Sequence, residues 1–259
     1  MRAENNGYMI AGIDEAGRGA LVGPMVIAGI AVEKGLVKDV MRLKVKDSKM
    51  LTPAQRDKLS VKLKELIQKN NNMSSFVTLP VPPCKIDESN MNTLEARHMA
   101  SIIDMLGADE IYIDALTSKP ERFKNTVMSF VQTEKKVKII AKNNADKTYP
   151  IVSAASIIAK VERDRLVDEI KKRVNFDFGV GYTHDARCIK FLETILTEYE
   201  RPTPFIRWKW DTVFTTIKKL EEEGRQLQPW VRKEILKDES IQQKIKDFLI
   251  HKNKCKEGE

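Results

Sequence analysis

Five short apolar runs, each bounded by turn residues, predict the strands of one sheet. Their length and their content of β-branched residues are typical of strands, whereas helices need longer amphipathic segments. The runs are Met9 to Ile13, Met25 to Val32, Ser74 to Val81, Glu110 to Asp114 and Val137 to Ala141. A tight turn with Gly17 and Gly19 separates the first two runs, so we expect two neighbouring strands.

Helical patterns lie between these runs. Thr52 and Pro53 supply a capping residue and a first-turn proline, and apolar residues recur at helical spacing from Asn92 to Leu106. A longer helix is predicted from Ser153 to Arg173, with small residues on one face and basic residues at its end. Strands that alternate with helices indicate an α/β fold.

The composition changes near residue 200. From Arg201 onward the sequence is charged and rich in helix-forming residues, and it ends in a basic tail, Lys252 to Lys256. We therefore predict a main domain over residues 1–200 and a helical C-terminal extension over residues 201–259.

The net charge favours a polyanionic partner without identifying one. The chain has 45 basic and 37 acidic residues, a formal net charge of +8. Such a charge promotes contact with nucleic acid through counterion release, but many basic proteins never bind nucleic acid. Whether the partner is nucleic acid therefore has to be judged from the sequence motifs.

Cysteine spacing and hydropathy point to a reducing, aqueous compartment. Cys84, Cys188 and Cys255 lie far apart, without the spacing of a disulfide framework or a zinc site. The N-terminus lacks the apolar stretch of a signal peptide. The apolar run from Ala20 to Val32 contains a proline and is shorter than the ~20 residues that a membrane helix needs. We expect a cytoplasmic protein.

Acidic residues end, or closely follow, three of the apolar runs. They are Asp14 with Glu15, Asp114, and Asp146. If the strands lie side by side these carboxylates converge, and their mutual repulsion calls for divalent cations. A ligand set made only of oxygen suits Mg²⁺ or Mn²⁺, and two such ions can support in-line phosphodiester hydrolysis. Taken singly, each acid could instead cap a helix or face solvent.

The motifs around these acids resemble the type 2 ribonucleases H, known in bacteria as ribonuclease HII. The similarity begins with Gly12-Ile13-Asp14-Glu15-Ala16-Gly17-Arg18-Gly19 and Gly23-Pro24. It continues, in the family's order, through Lys46 to Lys49, Asp114-Ala115, Pro120 to Phe123, Ala145-Asp146, Tyr149 to Lys160 and Gly179 to Tyr182. Several motifs in the same order over most of a chain are specific to a family.

The resemblance implies a ribonuclease-H-like fold, with a central five-stranded mixed sheet, flanking helices and a helical C-terminal part. It also implies an endonuclease that hydrolyses the RNA strand of RNA/DNA hybrids and cuts at ribonucleotides embedded in duplex DNA. The products would carry 3′-hydroxyl and 5′-phosphate ends. The implied cofactor is Mg²⁺ or Mn²⁺.

The family's metal-binding carboxylates correspond to four positions of this sequence: Asp14, Glu15, Asp114 and Asp146. We expect Asp14 to bridge the metals and Asp114 and Asp146 to complete their sites. Glu15 would lie close to the second metal or the attacking water.

Substrate contacts follow from the same resemblance. The turn Gly17, Arg18 and Gly19 would contact the ribonucleotide 2′-hydroxyl through its backbone, and Tyr182 would pack against the nucleotide at an RNA-to-DNA junction. Phosphate contacts are predicted for Ser48, Lys49, Ser153 and Lys160. The alternatives are a plain glycine turn, a core tyrosine, solvated lysines and small residues that allow a helix to pack closely.

Gln242, Ile245, Phe248 and Leu249 fit the spacing of a sliding-clamp-binding box. Such a box would tether the enzyme to the replication machinery, but an amphipathic helix that packs on its own domain needs the same spacing. Segments such as Met91 to Glu95 resemble the archaeal members of the family more than the bacterial ones, which favours a monomer.

Two other functions remain. A protein that only binds RNA/DNA hybrids would lack one of the four carboxylates, and all four are present. A DNA nuclease or an integrase built on the same sheet is disfavoured by the Gly-Arg-Gly turn and by Tyr182. The type 3 relative normally carries an extra N-terminal domain, whereas the first predicted strand begins at Met9.

Overall fold

The computed structural model describes residues 7–45, 51–69 and 74–235. The strands in these ranges are β1 (Met9–Ala16), β2 (Met25–Glu33), β3 (Ser75–Val81), β4 (Glu110–Asp114) and β5 (Lys138–Lys142). They form one five-stranded sheet in the order β3-β2-β1-β4-β5. β1 pairs antiparallel with β2 and parallel with β4, which confirms the predicted mixed sheet.

Helices occupy the segments between and after the strands. They are α1 (Val37–Arg42), α2 (Pro53–Lys69), α3 (Pro83–Asp87), α4 (Met91–Leu106), α5 (Pro120–Met128), α6 (Ala145–Thr148), α7 (Pro150–Val174), α8 (Ala186–Glu198) and α9 (Asp211–Glu222). The predicted cap of α2 is confirmed, since the Gln55 amide donates to Thr52 Oγ1 at 3.3 Å and the Thr52 amide donates to Gln55 Oε1 at 2.8 Å.

The chain divides into two compact units. The first contains Met1–Arg18 and Pro24–Leu166, and the second contains Gly19–Gly23 and Val167–Glu259. The predicted division into a catalytic domain over residues 1–200 and an extension over 201–259 stays a prediction. In the described part of the predicted extension, α9 and a π-helical turn, Val231–Ile235, are helical.

Both faces of the sheet are covered within the first unit. One apolar cluster packs β1 and β4 against α4 and α5, and a second packs the opposite face against α2 and α7. All eight residues of β1 are buried, which explains why the strand begins with the continuous apolar run Met9 to Ile13 rather than with alternating apolar and polar residues. The central strand is therefore a rigid support for the acidic residues near its end.

β1 and α7 approach each other closely at Gly12. A Cβ atom added there would lie 2.4 Å from the carbonyl carbon of Ile151 and 2.6 Å from the amide nitrogen of Val152. Only glycine fits at this point, because backbone atoms of the first turn of α7 occupy the space of a side chain. The contact fixes the start of α7 against the strand.

The second unit has its own apolar core, formed by Leu21, Val22 and residues of α8, α9 and the segments around them. The short segment 19–23 joins it through an isolated antiparallel bridge between Val22 and Ile206. In the described parts of the chain, no helix has both the length and the hydropathy required to cross a membrane.

Candidate active site

Three buried aspartates come together in the first unit. Asp14 lies in β1, Asp114 is the last residue of β4, and Asp146 lies in α6 just after β5. One carboxylate oxygen from each lies within 4.8 Å of the other two. The side chains that the strand-end pattern predicted to converge are thus adjacent in the structure.

The sheet register brings two of these aspartates to the same edge. β1 and β4 run parallel, and their pairing ends where Ile13 lies opposite Ile113. The next residues, Asp14 and Asp114, therefore lie side by side just beyond the last pair of these two strands. Parallel strands present their carboxyl ends at one edge of a sheet, where ligand sites are commonly built. This geometry follows directly from the apolar runs that precede each acid.

Asp146 reaches the same edge through a tight turn. Asn144 has a left-handed backbone with φ of 54°, a conformation that asparagine adopts more readily than most residues. The next amide, that of Ala145, donates to Asp114 Oδ1 at 3.1 Å. The buried Ser153 hydroxyl of α7 donates to the carbonyl of Asp146. Strand β4 and helix α7 therefore both fix the turn that carries Asp146.

Burial raises the pKa of Asp14 to about 7. The negative charge of Asp114 acts in the same direction, whereas a hydrogen bond from Ser156 and the positive charge of Lys160 lower the pKa. The Glu15 amide donates to Asp14 Oδ1 at 2.8 Å, and Lys160 Nζ donates to Ser156 Oγ at 2.7 Å. Ser156 and Lys160 thus stabilise the charged form of Asp14 from the adjacent helix.

Glu15 adds a fourth buried carboxyl group. Burial raises its pKa well above the usual range, and the negative charges of Asp14, Glu95 and Asp114 raise it further. Among the described residues, no hydrogen-bond donor contacts its buried Oε2 atom. A site with several desolvated carboxylates and an unsatisfied oxygen fits hard divalent cations, which bind oxygen ligands and neutralise the repulsion.

Gly17 and Arg18 form the start of the turn after β1. Gly17 has φ of +82°, and a Cβ atom there would lie 2.2 Å from Arg163 Nε of α7. The Arg18 side chain points to α4, where its Nη2 donates to Asn92 Oδ1 at 2.7 Å and its Nε donates to Glu95 Oε2 at 3.2 Å. The turn is thus held by contacts with two helices of the first unit.

The second unit contains Gly19 and Tyr182. A Cβ atom added at Gly19 would lie 3.9 Å from Tyr182 Cε1, so these residues are neighbours. Gly181 accepts hydrogen bonds from the amides of Leu21 and Val22 at 2.9 and 3.0 Å. Tyr182 is half-buried and stacks on His184 with ring centroids 5.6 Å apart. A tyrosine ring fixed next to a glycine can pack against a planar group.

The structure describes only some of the residues that were predicted to contact phosphate or a clamp. Ser153 is fully buried and its hydroxyl serves the Asp146 turn, whereas Lys160 is half-buried. Ser48 and Lys49 lie outside the described residues, as do the four residues of the predicted clamp-binding box, Gln242, Ile245, Phe248 and Leu249. Their roles stay predictions.

The structure adds two residues that the candidate set lacked, Ser156 and Glu95. Ser156 lies one turn before Lys160 on α7, a spacing that makes the pair neighbours on the helix surface. Glu95 stands on the apolar stripe of α4 that includes Met99, Ile102 and Leu106. The position of Glu95 in this apolar stripe could have indicated a functional role from the sequence, because a buried charge needs a partner.

Comparisons with known proteins agree with this site. The family model described as Ribonuclease HII matches residues 11–213. Ribonuclease HII of Methanosarcina acetivorans is 39% identical over 227 residues, which cover 84% of this chain and 99% of that protein. The crystal structure of ribonuclease H2 from Pyrococcus horikoshii has a TM-score of 0.74 and 36% identity, and the match covers 83% of this chain and 99% of that one.

A further similar structure is the complex of PCNA and RNase HII from Archaeoglobus fulgidus. It has a TM-score of 0.70 and 33% identity, and the match covers 80% of this chain and 96% of that chain. The family match spans most of the strands and helices described above, including all three clustered aspartates. The chain therefore belongs to the ribonuclease HII family and is a ribonuclease H, an enzyme that hydrolyses the RNA strand of an RNA/DNA hybrid.

Proposed function

We propose that the enzyme also cuts at single ribonucleotides embedded in duplex DNA, and that it does so as a monomer with two divalent metal ions, Mg²⁺ or Mn²⁺. The observation that carries the proposal is the buried group of Asp14, Asp114 and Asp146, with one oxygen of each within 4.8 Å of the others. Buried carboxylates this close together repel one another, and divalent cations relieve that repulsion.

Asp14, Asp114 and Asp146 would hold the ions, and Glu15 would lie close to them or to the attacking water. When bound, the ions would lower the pKa of the water and stabilise the departing 3′ oxygen. Hydrolysis would add the elements of water across the phosphodiester and leave 3′-hydroxyl and 5′-phosphate ends. Ser156 and Lys160 would keep Asp14 ionised and in place through their hydrogen bonds.

Selection of a ribonucleotide would depend on the backbone of Gly17, Arg18 and Gly19, which would contact its 2′-hydroxyl. Tyr182 would pack against the sugar and base at the junction. Ser48, Lys49 and Lys160 would contact phosphates, which position a duplex without reading its sequence. Ser153 is fully buried and its hydroxyl donates to the Asp146 carbonyl, so this side chain is not available to a phosphate. The support for these contacts is the family resemblance together with the fixed geometry of Gly17 and Arg18.

The direct test is cleavage of a labelled DNA duplex that contains one ribonucleotide. We expect cutting on the 5′ side of the ribonucleotide with Mg²⁺ or Mn²⁺ and none in EDTA. An RNA/DNA hybrid of the same sequence is the positive control, and an all-DNA duplex is the negative control. Cutting of the hybrid alone would contradict the proposal for embedded ribonucleotides, and equal cutting of all-DNA would contradict selection by the 2′-hydroxyl.

We also propose that the C-terminal box binds a sliding clamp. The relative from Archaeoglobus fulgidus forms a complex with PCNA, and the four residues of the box, Gln242, Ile245, Phe248 and Leu249, have the required spacing. The alternative is a helix that packs on its own domain through the same residues.

A pull-down on immobilised clamp separates the two roles of the box. We expect Phe248→Ala to lose most of its retention, because an aromatic anchor often dominates the binding energy of a short motif. Cleavage of a short hybrid without clamp should not change. Unchanged retention would end the clamp proposal, and a lower melting temperature would favour packing on the domain.

A further inference from the structure

Glu95 is a buried acid that lies close to the catalytic carboxylates without belonging to their group. It is 2% exposed, and its negative charge raises the pKa of Glu15. Its Oε2 atom accepts from Arg18 Nε at 3.2 Å. Among the described residues, nothing donates to its buried Oε1 atom. Burial of a carboxylate is costly, so this residue needs a reason beyond packing.

Arg18 offers that reason, because its side chain is held between two groups of α4. Asn92 accepts from its Nη2 at 2.7 Å one turn before Glu95. The Arg18 side chain is 28% exposed, and that of Glu95 is 3% exposed. A charge-assisted hydrogen bond in such a desolvated setting is stronger than one at the surface. The backbone at Arg18 is therefore tied to α4 through its own side chain.

The other side of the same turn rests against α7. The space that a side chain would occupy at Gly17 is filled by Arg163 and by the carbonyl oxygen of Pro24. Arg163 is 3% exposed. The peptide groups at Gly17 and Arg18 thus have a support on each side, one from α7 at Gly17 and one from α4 at Arg18.

We propose that Glu95 is a positioning residue for substrate selection, which holds the Arg18 side chain against α4 and so fixes the peptide groups that read the 2′-hydroxyl. This inference rests on the proposed role of the turn in recognising a ribonucleotide. Hydrogen-bond recognition by a backbone requires the groups to be held in place before the substrate arrives. Glu95 acts through Arg18 and does not touch the substrate.

The test compares Glu95→Leu and Glu95→Gln on a duplex with one ribonucleotide. Leucine removes the acceptor for Arg18, so we expect kcat/KM to fall roughly tenfold or more, the effect of losing one hydrogen bond to a charged group. Glutamine keeps an acceptor oxygen and should recover most of that loss. Glu88→Gln, at an exposed ion pair with Lys85, is the matched control and should not change kcat/KM.

Three further measurements separate positioning from other effects. Affinity for all-DNA duplex and affinity for Mn²⁺ should be unchanged in Glu95→Leu. Arg18→Ala should lower kcat/KM, and the double variant with Glu95→Leu should be no worse than Arg18→Ala alone. Loss of Mn²⁺ affinity, independent effects of the two substitutions, or a kcat/KM within twofold of the wild-type value would each overturn the inference.

The experiment also distinguishes this inference from the proposed function. If wild-type enzyme does not prefer the ribonucleotide duplex over all-DNA, the proposed role of the turn fails. If the wild-type enzyme has that preference and Glu95→Leu keeps it in full while remaining folded, only the role of Glu95 fails.

Discussion

Asp114→Asn should abolish cleavage of RNA/DNA hybrids while the protein stays folded. The substitution removes one of the three carboxylates of the buried group and keeps an oxygen that can accept from the Ala145 amide. Loss of residues that merely support a metal ligand costs about 10- to 100-fold, so loss of a ligand should cost more than a hundredfold. The measurement is a single-turnover cleavage rate at saturating Mg²⁺ or Mn²⁺.

The stability of the metal-free enzyme supplies the internal check on this variant. The charge of Asp114 raises the pKa of both Asp14 and Glu15, so its removal should relieve repulsion. We expect the melting temperature of Asp114→Asn in EDTA to equal or exceed that of the wild type. Asp57→Asn, on the exposed face of α2, is the matched control and should keep full activity. A rate within tenfold of the wild-type rate would refute the metal-binding role of Asp114.

Gly12→Ala should destabilise the protein strongly, although it adds only one methyl group. The new Cβ would lie 2.4 Å from the carbonyl carbon and oxygen of Ile151, and backbone atoms in a helix cannot move aside cheaply. Overpacking of this kind costs about 1–3 kcal/mol and sometimes more, and we expect a value near 3 kcal/mol. The corresponding fall in melting temperature is roughly 6 to 12 °C.

Gly35→Ala is the control for this substitution. A Cβ atom at Gly35 would meet no atom within 4 Å, so the free energy of unfolding should change by less than about 0.5 kcal/mol. Urea denaturation of both variants gives the two free energies. Equal stability of Gly12→Ala and the wild type would show that β1 and α7 are less closely packed than the structure indicates.

The sheet and most of the carboxylates could be predicted because their signals are local. A buried central strand needs a continuous apolar run, and Asp14 and Asp114 directly follow such runs, at the point where β1 and β4 stop pairing with each other. Asp146 was harder, since its position depends on the left-handed turn at Asn144 and on the Ser153 hydroxyl. The sequence pattern indicated only that Asp146 closely follows the fifth apolar run, and the motif resemblance named the same residue.

The role of Arg18 shows where prediction from the sequence ends. The resemblance implied a backbone contact for Arg18, but no local pattern indicates that its guanidinium binds Glu95 on a helix far along the chain. Ser153 was predicted to contact phosphate, and its burial against Asp146 depends on a packing distance that spacing along a helix does not give. Contacts between distant segments are set by tertiary packing, which periodicity does not encode.

The order of the strands has a consequence for biosynthesis. β1 can pair with β2 as soon as both have left the ribosome, but its other neighbour, β4, is made much later, and α7, which covers it at Gly12, later still. Until then, the edge of β1 that pairs with β4 and the apolar face that α7 covers stay exposed, and such a state is prone to aggregation. The three aspartates cannot meet until β4 and α6 have been made, so the active site is assembled late in the synthesis of the chain.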